Sequence, residues 1–168
     1  MRKPKMLEDL FLDGLKDIYF AEKKILVALP KMAKAAGSNE LKKAFETHYK
    51  QTEAQVKRLE KVFAEIDAKA QGKTCPAIIG IIDEGKEILE DYDESPALDA
   101  GLVASAQAVE HYEICRYGTL VTWASELGYD GAAELLKENL AEEEETDELL
   151  NELAKGSINA AAMQEAAE

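Results

Sequence analysis

The sequence predicts an all-α protein, an antiparallel bundle of four long helices, and three observations carry that prediction. Four long segments place apolar residues at helical spacing, about 100° per residue. Two of the connections between them are only a few residues long, which makes each flanking pair an antiparallel hairpin. The composition agrees, being rich in Ala, Leu, Glu and Lys with four prolines. At 168 residues and 18.5 kDa the chain suits a single domain, 1–168, with a sizeable core.

The first helix is expected over about residues 6–36, with Leu7, Leu10, Leu15, Ile18, Ile25, Leu26, Leu29 and Met32 along one stripe. Pro30 should kink it or begin a separate last turn, because proline lacks the N–H and crowds the preceding turn. Gly37-Ser38-Asn39 leads into the second helix, about 40–68, with Leu41, Phe45, Val56, Leu59, Phe63 and Ile66 inward. The third helix should span about 96–127 and the fourth about 131–155, joined through the turn chemistry of Gly128-Tyr129-Asp130-Gly131. Between the hairpins, residues 72–95 form a crossover with a short amphipathic helix at 77–89 and an acidic end, Glu90 to Glu94. Two antiparallel hairpins joined by one long crossover make the ferritin-like form of the four-helix bundle. The tail, 156–168, suits a fifth helix or a mobile end.

A formal net charge of −14 and a pI near 4.6 argue against nucleic acid and anionic membranes as partners. No stretch approaches the roughly 18 apolar residues of a membrane span. The N-terminal residues are interrupted by acids too early for a signal peptide. Cys75 and Cys115 lack metal-site or disulfide-framework spacing. A cytoplasmic protein with reduced thiols is the simplest expectation.

The informative residues are polar groups on stripes that should be apolar. Glu22 continues Leu15, Ile18, Ile25 and Leu29 in the first helix. Glu110 and Glu113 share a face with Val103, Ala106, Ile114 and Tyr117 in the third. Glu143 and Asp147 continue Leu136, Leu140, Leu150 and Ala154 in the fourth, and the second sets His48, Thr52 and Gln55 beside Phe45, Val56 and Leu59. Their depths match. Glu22 lies 15 residues before Gly37 and Thr52 15 after it, while Glu113 lies 16 before Tyr129 and Glu143 14 after. At 1.5 Å per residue, all of these sit roughly 20–28 Å from their turns.

Five acids in one apolar core would each cost several kcal/mol, and no Lys or Arg occupies those stripes at that level. Two divalent cations would compensate, and carboxylates with an imidazole suit iron first and manganese second. The expected metal-site residues are Glu22, His48, Gln55, Glu110, Glu113, Glu143 and Asp147. His111, about 100° round from Glu110, should sit at the bundle edge. Tyr19 and Tyr117 are placed to hydrogen-bond a ligand, or simply to pack. Trp123 reads as core or dimer contact. Glu142, Glu144 and Glu145 read as solvated surface.

The chain resembles the YciE/YciF family of bacterial ferritin-like proteins, which are associated with stress responses. The resemblance rests on LEDLFLDGLKDIYFAEKKILVALPKMAKAA, ETHYKQTEAQVKRLEKVF, AVEHYEICRYGTLVTWASELG and LAEEEETDELL. It implies a di-metal bundle that commonly forms homodimers, without implying a known reaction. In the wider superfamily two helices each give a Glu and two give Glu-x-x-His. Glu22 and Glu110, with Glu113, fit that pattern. Thr52-x-x-Gln55 with His48, and Glu143 with Thr146 and Asp147, depart from it. The sequence therefore predicts metal holding before metal catalysis. Its rivals are a di-metal oxidase or peroxide-consuming enzyme, and a metal-free structural dimer.

Overall fold

A computed structural model describes residues 4–164. It contains α1 (Leu7–Ala35), α2 (Asn39–Glu65), α3 (Pro76–Asp91), α4 (Leu98–Glu126), α5 (Asp130–Leu153), a π turn (Ala154–Ile158) and α6 (Asn159–Ala161), with no strand among the described residues. The α1–α2 and α4–α5 hairpins pack into a four-helix bundle, and α3 lies in the crossover against α4 and α1. The all-α, two-hairpin architecture expected from the sequence is the one observed.

Local chemistry sets each helix end. The Asp9 carboxylate accepts the Met6 N–H at 2.9 Å, and Glu8 and Asp9 favour the positive end of α1. The helix runs unbroken through Pro30, so no separate last turn forms. Ser38 caps α2 by accepting the Leu41 N–H at 3.3 Å. Asp99, in the first turn of α4, accepts the N–H groups of Gly37 and Ser38 at 2.8 and 2.7 Å. That contact pins the start of the second hairpin to the turn of the first.

α2 ends three residues before the expected position, because Asp67 takes a left-handed φ of 52°. The chain then returns along α1, where the Lys73 N–H meets the Lys16 carbonyl at 3.0 Å. Cys75 caps α3 and Pro76 supplies its first turn, so this helix is longer than the 77–89 read from sequence. Gly128, with φ 78°, turns α4 into α5. In the tail, Ile158 is buried against the core, which docks the π turn; residues 165–168 lie outside the described residues.

The topology leaves apolar layers at both ends of the bundle. Phe11, Leu15, Phe63, Leu120 and Leu136 fill one end, and Leu29, Leu41, Phe45, Leu102 and Leu150 fill the other. Each such side chain contributes roughly 1.5–3 kcal/mol on burial. Leu7 and Leu10, expected on the inner stripe, are exposed, and Phe11 takes the core position. Trp123 is half-buried against the core. No helix is long and apolar enough to cross a membrane.

Candidate metal centre

Between the two apolar layers the core turns polar. Glu22 from α1, His48, Thr52 and Gln55 from α2, Glu110 and Glu113 from α4, and Asn139, Glu143 and Thr146 from α5 are all buried. The heptad-like spacing of apolar neighbours points these groups inward, since helical residues three and four apart share a face. One ligating atom each from His48, Glu110, Glu113 and Glu143 lies within 4.8 Å of the others. Gln55 joins this set through Glu143, and Glu22 lies beside Glu143 and Glu113 with Tyr117 holding its other side. Gln55 Nε2 donates to Glu143 Oε1, and Tyr117 donates its hydroxyl to Glu22 Oε1.

The decisive feature is what remains unpaired. Glu22 Oε2, His48 Nε2, Gln55 Oε1, Glu110 Oε2, both oxygens of Glu113 and Glu143 Oε2 are buried without a hydrogen-bond partner. Burial holds the carboxyls of Glu22, Glu110 and Glu113 well above the usual carboxylate range, and Glu143 is the next cause in each case. The cluster therefore needs protons or cations before it can ionise. Burial and then Glu22 likewise push the Tyr117 hydroxyl up, which keeps it a hydrogen-bond donor.

His48 is oriented with Nε2 towards the centre. Thr146 gives its hydroxyl proton to the Glu142 carbonyl at 2.9 Å, so towards His48 Nδ1, 3.4 Å away, its oxygen accepts. The ring then carries its proton on Nδ1. His48 Nε2 faces Glu110 Oε1 at 3.3 Å and Glu143 Oε2 at 3.8 Å, and no hydrogen bond engages it. Thr52 donates to the His48 carbonyl at 2.9 Å, so it serves the helix rather than the centre.

Six of the seven residues expected at a metal site thus meet in one layer. The seventh, Asp147, does not. It is half-buried at the rim, accepting from Gln107 Nε2 at 3.1 Å and facing His111 Nε2 at 3.2 Å. The inner face of α5 runs through Leu136, Asn139, Glu143, Thr146 and Leu150, one position round from the Leu140 and Asp147 line. Both lines have helical spacing, and apolar Leu140 favours the wrong one. His111 is exposed at the edge, as its angle predicts. Tyr19 points away and donates to Glu60 at 2.9 Å.

Sequence reasoning missed Asn139. Its side chain donates to the Tyr117 hydroxyl at 3.0 Å and accepts from Arg58 Nη1 at 3.0 Å. Arg58 is also bound to Glu142, at 2.8 and 2.6 Å, and to Glu138 at 2.9 Å, so Glu142 is a paired rim residue rather than a free surface acid. A cation is thus close, but its charge is taken by rim acids.

The chain is 44% identical to Protein YciF of Escherichia coli strain K12 over 156 residues, covering 92% of this chain and 94% of that protein. The crystal structure of the E. coli stress protein YciF superimposes with a TM-score of 0.88 at 43% identity, covering 93% of this chain and 99% of that one. YcfI from Rhodopseudomonas palustris, described as a candidate structural protein, gives 0.86 at 46% identity over 89% and 96% of the two chains. A Xanthomonas campestris protein, at 22% identity and a TM-score of 0.71 over 92% and 95% of the chains, shares the fold. The model for the domain of unknown function DUF892 matches residues 6–163, and the chain belongs to that family.

Proposed function

We propose that this protein holds a dinuclear non-haem metal centre, iron first and manganese second, in the middle of its bundle. The observation that supports this is the set of orphaned buried atoms on Glu22, His48, Gln55, Glu110, Glu113 and Glu143. Uncompensated, each ionised carboxylate there would cost several kcal/mol. Four buried glutamates match the charge of two divalent ions, and the oxygen-rich set with one imidazole suits those metals. Glu22, Glu110, Glu113, Glu143 and His48 would hold the ions. Gln55, donating to Glu143, would either ligate or orient that carboxylate, and Asp147 would act from the rim.

Such ions would supply Lewis-acid and one-electron redox chemistry. The chain's own residues would do the rest. Tyr117 would fix Glu22, Thr146 would orient His48, and the apolar layers close the bundle at both ends of the centre. Because YciF is described as a stress protein, we assign this centre to metal handling during stress. We take the protein as a cytoplasmic homodimer. Diffraction from iron- or manganese-refilled crystals, collected at each metal's absorption edge, should show anomalous peaks among the four glutamates. Clean maps at both edges after refilling would contradict the proposal.

A second reading is an oxidase or peroxide-consuming enzyme at the same ions. The observation in its favour is an opening from solvent to His48 and Glu110. Mixing di-ferrous protein with dioxygen or peroxide should then produce new optical absorption; an unchanged spectrum would leave storage or structure. A metal-free bundle with protonated glutamates is the third reading, and chelator-insensitive melting would favour it.

A further inference from the structure

A cavity of about 190 Å³ lies between α1, α3 and α4 and runs from the surface to the polar layer. Its wall is mostly apolar, with Ile25, Met32, Ile81, Ile82, Leu89 and Val109 among the lining side chains. Buried His48 and Glu110 close its inner end, where it meets the polar layer. Exposed Lys24 and Lys31 on α1, and Lys86 on α3, stand at its mouth. In a chain with 34 acids and 20 basic residues, the lining holds three lysines and one acid, and that acid is at the bottom.

That distribution selects a ligand by charge. An apolar void alone would accept any small hydrophobe, and the chain's overall negative charge would repel an anion. The lysines reverse that bias at this opening; Lys86 is paired with Asp83 at 2.6 Å, and the Lys24 ammonium rests over the Phe20 ring, 5.4 Å from its centroid, from which it must swing to meet a ligand. Asp83, beside the mouth, is already paired with Lys86, so a cation gains little there. A carboxylate at the inner end would add a further acid beside Glu110, Glu113 and Glu143, whereas at the mouth it meets lysines and water. The head of an amphipathic anion therefore belongs at the lysines and its apolar body inside.

We propose that this cavity is a binding site for a small amphipathic monocarboxylate, its head on Lys24 and Lys31 and its chain pointing towards His48 and Glu110. A cavity of roughly 150 Å³ holds a benzene-sized molecule, so this one suits an apolar body of about six to eight carbons. The site does not require the metal centre, and the two can fail separately.

Calorimetric titration of the chelated protein with octanoate and with octanol, at low salt, tests the site. Octanoate should bind at least about tenfold more tightly than octanol, and added salt should weaken it. Methyl resonances of Ile81, Ile82, Leu89 and Val109 should move. The double variant Lys24→Glu/Lys31→Glu, exposed and harmless to folding, should weaken octanoate about five- to tenfold and leave octanol unchanged. Ala28→Phe, which fills the cavity, should abolish binding while metal content stays at the wild-type level. Equal affinity for the two ligands, indifference to the lysine reversal, or shifts confined to Tyr49 and its neighbours on the outer face of α1 and α2 would each overturn the proposal. Absence of binding by a protein that still takes up metal would overturn this site and leave the centre standing.

Discussion

Glu142 and Glu143 are adjacent in sequence and opposite in treatment. Glu142 faces the rim, where Arg58 binds both of its oxygens and Asn139 and Glu138 complete the arrangement. Glu143 faces the core beside three other glutamates, with one imidazole, one amide and no cation. The same helix therefore shows what this chain does with an acid it means to neutralise itself. The inner layer lacks that provision, which is the reason to expect its charge to be neutralised from outside.

The difference can be broken most severely by removing the inner acids. A Glu110→Ala/Glu143→Ala variant should lose metal binding altogether, read as metal content after refilling. In chelated samples the same variant should melt at or above the wild-type temperature, because it removes buried acids and not a paired ion. Arg58→Met, by contrast, should leave metal content unchanged.

Metal removal is the next largest effect. At a free metal concentration 100 times Kd, binding stabilises by about 2.7 kcal/mol, and for a chain of this size each kcal/mol moves Tm by roughly 2–4 °C. The pH dependence has a definite sign. Glu22, Glu110 and Glu113 are raised in the folded state above an ordinary value of 4.5. Their contribution to metal-free stability is full below that value and is lost as pH rises through the folded values. Metal competes with those protons, so its affinity rises over the same window. The Tm gap between loaded and chelated protein should widen as pH rises from 4.5, as scanning calorimetry would show; a gap that narrows would oppose the account.

Smaller effects map the border between the two regions. Asn139→Ala leaves the Tyr117 hydroxyl without its donor and should cost about 1–3 kcal/mol in denaturant unfolding. Tyr117→Phe should cost less in stability but weaken metal retention, because Glu22 loses its tether. The rim pair itself comes last: Arg58→Met should change stability by less than about 1 kcal/mol.

Much of this was legible in the sequence. Glu22, Glu110, Glu113 and Glu143 interrupt apolar lines, and acids at one depth in three helices, level with His48 and Gln55 of the fourth, have no bland explanation. The two tight turns set those depths. What sequence could not show was rotation about α5. Lines through Leu140 and Asp147 or through Asn139 and Thr146 are equally helical, and hydrophobicity alone prefers the first. Asn139 and Thr146 are inward because Tyr117, Gln55 and His48 hydrogen-bond there, contacts that exist only after folding. For the same reason Glu142 reads as solvated surface until α2 brings Arg58 against α5. The early end of α2 depends on one backbone angle, at Asp67, which no periodicity reports.

The central claim is that the inner layer is neutralised by metal rather than by protons. Elemental analysis of the wild-type protein, purified without chelators and refilled with iron(II) or manganese(II) near neutral pH, tests it most directly. The account predicts about two metal ions per chain, lost on Glu110→Ala/Glu143→Ala. Metal-free protein after refilling with either ion would contradict it.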